Sequence, residues 1–182
     1  GYVTIKDVRE QIYTFGYPNR EVRISFLESL FHYYTRGISD RSRFALLAEY
    51  LMSEEMNAFI ETMSAIYASI PYTLETKRDE AYFHTIFYLV ATVSGMTGQS
   101  SVLTSQGRID MAIELPDKVF ILEFKCDQSA DAALKQIEEK HYADKYAGRG
   151  EIILVGINFS KAERNLIFKL QSKLGSISPS LI

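Results

Sequence analysis

Asp110, Glu123 and Lys125 are the residues of this chain whose types and spacing could do chemistry. They lie in Gly107-Arg-Ile-Asp-Met-Ala-Ile-Glu-Leu-Pro-Asp-Lys-Val-Phe-Ile-Leu-Glu-Phe-Lys125. Its two runs flank Pro116-Asp117 and predict a β-hairpin. Side chains alternate along a strand, so Glu123 and Lys125 share one face and Phe124 takes the other. With the turn centred on Pro116-Asp117, Asp110 falls opposite Glu123, Ile109 opposite Phe124, Met111 opposite Leu122 and Ile113 opposite Phe120. One face is then apolar and suited to a core. Pro116 cannot occupy the primed turns that two-residue loops prefer, so a one-residue slip is the competing register. Carboxylates facing each other at roughly 5 Å repel unless a proton or a cation lies between them. Magnesium is the expected ion, with manganese the alternative. It takes oxygen ligands in an octahedron and is usually held by one or two carboxylates plus substrate phosphate.

The elements that must position this hairpin follow from periodicity. Tyr2 to Lys6 and Ile12 to Phe15 read as short strands. Asn19 is the expected N-cap of a helix through Thr35, with Val22, Phe26, Leu30 and Phe31 at helical spacing. Two more helices are expected over Asp40 to Leu51 and Ser53 to Ser69, the second capped by Ser53, with Pro71 closing the group. Asp79 to Ser94 predicts a further helix stopped by Gly95. Strands follow over Ser101 to Thr104, Ile109 to Leu115 and Val119 to Cys126. A long helix over Ser129 to Tyr146 and a buried strand over Ile152 to Asn158 complete the series. Arg164 to Leu170 reads as either strand or short helix, and the tail from Ser172 is expected to fray. The expected division is a strand pair and helical lobe over 1–72, an α/β core over 73–171 and a tail over 172–182.

With 182 residues, 47% hydrophobic and 24% charged, the composition is that of an ordinary globular protein. No apolar run approaches the length of a membrane span. The lone Cys126 cannot form an internal disulfide, and a reducing cytoplasm is the expected compartment. A net charge of −3 argues against a protein that coats nucleic acid non-specifically, because such binding rests on Lys and Arg neutralising phosphates. It leaves room for a local basic rim beside acidic metal ligands. The opening Gly1-Tyr2-Val3-Thr4-Ile5 reads as a strand already in progress, so a domain cut from a longer protein is expected.

The order helix, three strands, helix, strand, with Asp110 and then Glu123-Phe-Lys125, resembles the core of the PD-(D/E)xK nuclease superfamily. More closely, the chain resembles the nuclease-like domain that follows an AAA-ATPase-like module in many bacterial proteins. The segments that carry this are Gly1 to Ile5, Gly16-Tyr-Pro-Asn19 to Phe26-Leu27, Ile70-Pro71-Tyr72, Gly107-Arg-Ile-Asp110 and Ala133-Leu-x-Gln-Ile-x-x-Lys-x-Tyr-Ala143. The resemblance implies a restriction-endonuclease-like α/β core: helix, three-strand antiparallel meander, helix and strand, with an N-terminal helical lobe. It implies metal-dependent hydrolysis of phosphodiester bonds in nucleic acid, DNA sooner than RNA. Asp110, Glu123 and the Phe124 carbonyl would hold the metal, and Lys125 would position the attacking water and stabilise the charge that develops. A catalytically weak nucleic-acid-binding or protein-interaction module is the alternative. No Gly-rich phosphate loop is present, so an ATPase-like partner would lie upstream.

An acid from the preceding helix often joins the metal shell in this superfamily, and Glu80 fits that place. It is equally a favourable acid at a helix N-terminus. His84, one turn on, reads as a partly buried helix residue rather than a ligand. Gln136 resembles the glutamine that some of these nucleases place near the site. Lys140 shares its helical face, though Glu138, Glu139, Lys140 and Lys145 also read as a solvated surface. Tyr142 and Tyr146 are spaced for packing, with Tyr142 the one that could face substrate. Arg108 could approach a phosphate or pair with Glu114. Cys126 falls on the apolar face and is expected to be inert.

Overall fold

A computed structural model describes residues 2–35, 41–70, 79–96, 98–105, 107–163 and 165–173. Its centre is a sheet in the order β3-β4-β5-β6-β7. Strands β3 (Gly98–Thr104), β4 (Gly107–Glu114) and β5 (Lys118–Cys126) form an antiparallel meander. Strand β6 (Glu151–Ser160) lies parallel to β5, and β7 (Asn165–Lys173) returns antiparallel along its outer side. Parallel pairing requires a crossover, and α5 (Ala130–Glu139) supplies it. Strand β6 is therefore covered on both faces, which is why Ile152 to Ile157 reads as an almost unbroken apolar run.

Both faces of the sheet bury apolar side chains. Met111, Ile113, Phe120, Leu122, Phe124 and Val155 pack into the larger cluster with the helices that precede the sheet. Ala112, Val119, Ile121 and Leu154 pack on the other side against Ile137, Tyr142 and Tyr146. The preceding helices are α1 (Arg20–Thr35), α2 (Arg41–Met52), α3 (Met56–Ser69) and α4 (Glu80–Val93). Asn19 caps α1 by accepting from the Val22 N–H at 2.9 Å, and Asp79 caps α4 by accepting from Tyr82 N–H at 3.1 Å. Gly95 ends the α4 segment with φ of 85°, a conformation suited to glycine. Strands β1 (Thr4–Arg9) and β2 (Ile12–Gly16) form a separate two-stranded sheet. It leaves Ile12 72% and Phe15 63% exposed.

Several expectations need correction. Ser53 does not start a helix: its hydroxyl donates back to the Glu49 carbonyl at 2.9 Å and so belongs to the end of α2, while α3 begins at Met56 behind Glu55. The long helix over Ser129 to Tyr146 is two pieces. Lys140 caps α5, His141 turns to φ of 50°, and a 3-10 helix over Tyr142–Tyr146 follows. Burial of Tyr142 and Tyr146 against the sheet redirects the chain there without any glycine or proline at the break. The segment read as strand or helix is strand β7. Asp40, Pro71, Tyr72 and the tail from 174 lie outside the described residues.

At Gly156 the close packing of α5 on the sheet is set by the absence of a side chain. A Cβ there would sit 2.2 Å from the Ala130 carbonyl oxygen and 2.8 Å from Leu134 N. Both are helix backbone atoms that cannot swing aside. Gly156 is also the β6 partner of Glu123, so the helix approaches where the buried acid lies. Gly156→Ala should push α5 off the sheet and lower stability by about 1–3 kcal/mol, the usual range for overpacking a core. Urea denaturation of the variant against wild type measures this; equal midpoints would contradict it.

Candidate active site

The β4–β5 hairpin has the expected register, with Met111 paired to Leu122, Ile113 to Phe120 and Glu114 to Val119. Pro116-Asp117 turns without a slip. The Asp117 carbonyl accepts from Glu151 N–H at 3.1 Å, which ties the turn to the start of β6. The ladder then stops one step short of the expected Asp110–Glu123 pair. Leu115 N–H donates to the Lys118 carbonyl, and hydrogen-bonded pairs alternate along an antiparallel ladder, so Ile109 and Phe124 would be the next bonded pair beyond Met111 and Leu122. Instead the Phe124 N–H donates to Asp110 Oδ2 at 3.0 Å. Ile109 packs with the α5-side cluster together with Ala112, whereas Met111 between them faces the other side. Alternation therefore breaks at Asp110, and Ile109 leaves the apolar face that the spacing assigned to it.

This break brings the Asp110 carboxylate over the end of β5. His84 on α4 donates from Nε2 to the Asp110 carbonyl at 2.9 Å, and its ring centroid lies 5.4 Å from that of Phe124. His84 thus holds the main chain of β4 where the ladder no longer does.

Glu123 is 2% exposed. Its Oε1 receives Gln136 Nε2 from α5 and Lys125 Nζ, the latter at 3.4 Å. Its Oε2 is buried with no hydrogen-bond partner among the described residues. An orphaned buried carboxylate oxygen is costly unless something positive meets it. Burial pushes the Glu123 carboxyl up to about 7, the Asp110 charge adds to this, and Lys125 opposes it. Lys125 is itself largely enclosed, its side chain 13% exposed, and not the open surface lysine that an isolated strand pattern suggests.

Asp110, Glu123, Lys125 and Gln136 therefore come together. The two carboxylates offer oxygen donors of the kind a hard divalent ion takes, and Glu123 Oε2 has no hydrogen-bond partner among the described residues. Among the described residues no three His, Cys, Asp or Glu gather into a cage. Glu80 sits in the first turn of α4 and reaches the Cys126 thiol only as a minor electrostatic influence, that thiol being pushed up chiefly by burial. Lys140 and Arg108 are exposed, while Tyr142 is buried in the core and not turned to solvent. Glu114 pairs with Arg149 at 3.5 Å.

Two contributors were missed by sequence reasoning. Asn158 ends an apolar strand and gave no signal, yet it is 5% exposed, stands beside Lys125 in the β5–β6 register and accepts from Gln128 N–H at 2.9 Å. It thereby fixes the turn that leads from Lys125 into α5. Gly156 is the other; only its pairing with Glu123 shows its use.

A mixed five-stranded sheet thus carries a carboxylate pair and a lysine at the end of its central hairpin. A family model described as the PD-(D/E)XK nuclease superfamily matches residues 78–169, just over half of the 182 residues. The chain belongs to that superfamily. It is also 33% identical over 187 residues to an uncharacterized protein in the vnfD 5' region of Azotobacter chroococcum mcd 1. That match covers 96% of this chain and 36% of the relative, so the chain spans little more than a third of the relative's length.

The raised Glu123 pKa has a definite sign for stability. Below the ordinary carboxylate range both folded and unfolded states hold the proton and nothing is gained or lost. Between about 4.5 and about 7 the unfolded chain releases it and the folded metal-free protein keeps it, so folding is disfavoured as pH rises, and the penalty is constant above about 7. In EDTA at pH 8, Glu123→Gln should therefore melt higher than wild type, while at pH 4 the two should nearly coincide. Thermal melts at both pH values decide it. A variant that melts lower at pH 8 would show that the carboxylate is stabilising as it stands.

Proposed function

We propose that this domain hydrolyses phosphodiester bonds in nucleic acid, DNA sooner than RNA, with magnesium or manganese held by Asp110, Glu123 and the Phe124 carbonyl. The observation that carries this is the Glu123 carboxylate, buried beside Asp110 with one oxygen unpartnered and a lysine against the other. Buried carboxylates left partly uncompensated are retained where a ligand neutralises them. Superfamily membership of residues 78–169 supports the same reaction. When bound, the divalent ion supplies Lewis acidity, lowering the pKa of water and polarising the phosphoryl oxygen.

The residues of the chain do the rest. Phe124 N–H and His84 fix Asp110 from its side chain and its carbonyl, so that its other carboxylate oxygen is aimed before substrate arrives. Gln136 holds Glu123 in one rotamer. Lys125 presents a compact ammonium where negative charge grows on the phosphorus oxygens and orients the attacking water. The attacking water gives one proton to solvent as its oxygen bonds to phosphorus, the bond to the leaving sugar oxygen breaks, and that oxygen takes a proton from a second water. Glu80, in the first turn of α4, is proposed to join the metal shell directly or through a water. An AAA-ATPase-like module of the same polypeptide is the proposed partner, on the resemblance carried by Gly1 to Ile5 and Gly16 to Leu27, and a reducing cytoplasm the proposed compartment. Among the described residues no helix is long and apolar enough to cross a membrane.

Cleavage of labelled DNA and RNA in magnesium and in manganese tests the proposal. Lys125→Met, which keeps an apolar stem in a mostly enclosed position, should lower turnover by roughly two to three powers of ten, the range for removing one electrostatic stabiliser. Asp110→Asn should remove activity together with the metal response. Unchanged turnover in Lys125→Met would take the lysine out of the mechanism. Binding of nucleic acid by a wild type that cleaves in neither metal would favour the weak-binding-module alternative.

A further inference from the structure

The basic residues between positions 107 and 169 sort into two groups. Among those described, six are ion-paired, as Lys135 is with Glu139 and Lys169 with Asp131. Arg108, Lys140 and Lys145 have no carboxylate partner among the described residues, and all three are exposed. Paired surface cations are already neutralised and offer little to a polyanion, whereas unpaired ones release counterions when a phosphate arrives.

These three are also neighbours of the site. Arg108 precedes Asp110 by two residues on β4, roughly 7 Å along the strand. Its partner across the β3–β4 ladder is Leu103, and the Leu103 carbonyl accepts from Lys145 Nζ at 2.8 Å. Lys145 therefore reaches this rung from the α5 side, whereas Arg108, between Gly107 and Ile109 that face Tyr142 and the α5-side cluster, projects from the other face. Lys140 caps α5 one turn, about 5–6 Å along the axis, beyond the Gln136 that bonds Glu123. The close approach of Tyr142 to Gly107, where a Cβ would meet the hydroxyl at 2.9 Å, binds the 3-10 helix that carries Lys145 to the same end of β4. Lys140 and Lys145 thus stand on the α5 side of the sheet, where Gln136 meets Glu123, in a protein whose net charge of −3 repels a polyanion elsewhere.

We propose that Lys140 and Lys145 form the strip along which the phosphodiester backbone of a nucleic acid lies as it enters the site. The ligand follows from the proposed nuclease function, on which this inference rests. The strip meets phosphate charge alone and acts without a metal, which separates it from the contacts made at Asp110 and Glu123.

The test is fluorescence anisotropy in EDTA with a short labelled DNA duplex and with single-stranded RNA of the same sequence, across a range of salt. Lys140→Gln and Lys145→Gln are each compared with wild type. Each should lower the slope of log affinity against log salt by about 0.9 on duplex DNA, or by about 0.7 on the single strand, because one phosphate fewer is neutralised. The polymer whose slope falls is the one that uses the strip. Lys135→Gln, whose ammonium Glu139 already engages, should leave the slope unchanged. Strip variants that bind with the wild-type slope overturn the proposal and leave the hydrolysis reading standing, since Lys125→Met tests that separately. A wild type that binds neither polymer at any salt overturns the strip and the nuclease reading together. Reduced slopes in a protein that never cleaves keep the strip and remove the hydrolysis.

Discussion

The constraint on which the rest of this structure depends is the burial of the Glu123 carboxylate beside that of Asp110. A charge with 2% exposure and an unpartnered oxygen tolerates little freedom around it. Each neighbouring element contributes one restraint. Helix α5 gives Gln136, β5 gives Lys125, and α4 gives the His84 contact that fixes β4 at the point where the ladder ends. Gly156 lets α5 lie flush on β6 so that Gln136 reaches across. The same constraint accounts for the broken alternation at Asp110. A regular ladder would satisfy the Phe124 N–H with the Ile109 carbonyl and leave the carboxylate free to turn away. The break exchanges that bond for one to the side chain and so orders the acid.

Large parts of this were legible in the chain. The β4–β5 hairpin follows from period-two alternation about a two-residue turn, and a one-residue slip would part Met111 and Ile113 from the face of Phe120 and Leu122. The N-cap at Asn19 is local chemistry and appears where residue type puts it. What escaped is tertiary. Nothing in the run from Ser129 to Tyr146 announces a break, because the energy that redirects it comes from aromatic burial against a sheet distant in sequence. Ser53 has the residue type of a helix cap but commits its hydroxyl to the turn behind it. His84, Asn158 and Gly156 acquire meaning only through partners 26 and 30 residues away in the first two cases and through the helix backbone in the third.

The helical segment that precedes the sheet is packed into the same core as the face of the sheet opposite α5. Lys118, at the start of β5, is bonded to Glu54 in the turn between α2 and α3, so the hairpin is anchored at the end away from the site. Anchoring there and restraint by His84 near the other end leave β4 and β5 little room to shear against each other. Positional precision at a metal site comes from supports of this kind more than from the ligands themselves.

The β1–β2 hairpin has a consequence of a different order, for the colloidal behaviour of the domain. Ile5, Ile12 and Phe15 face water, and among the described residues the strands pair only with each other, so two such hairpins can adhere. What opposes adhesion between chains is their like charge, and that repulsion reaches only about 8 Å at physiological ionic strength. Added salt would therefore act on this protein twice and in opposite senses: it loosens the proposed contact with a polyanion, and it removes the repulsion that keeps hairpins apart. A fall in signal at high salt is a sum of dissociation and self-association, and the two separate only when protein concentration is varied along with the salt.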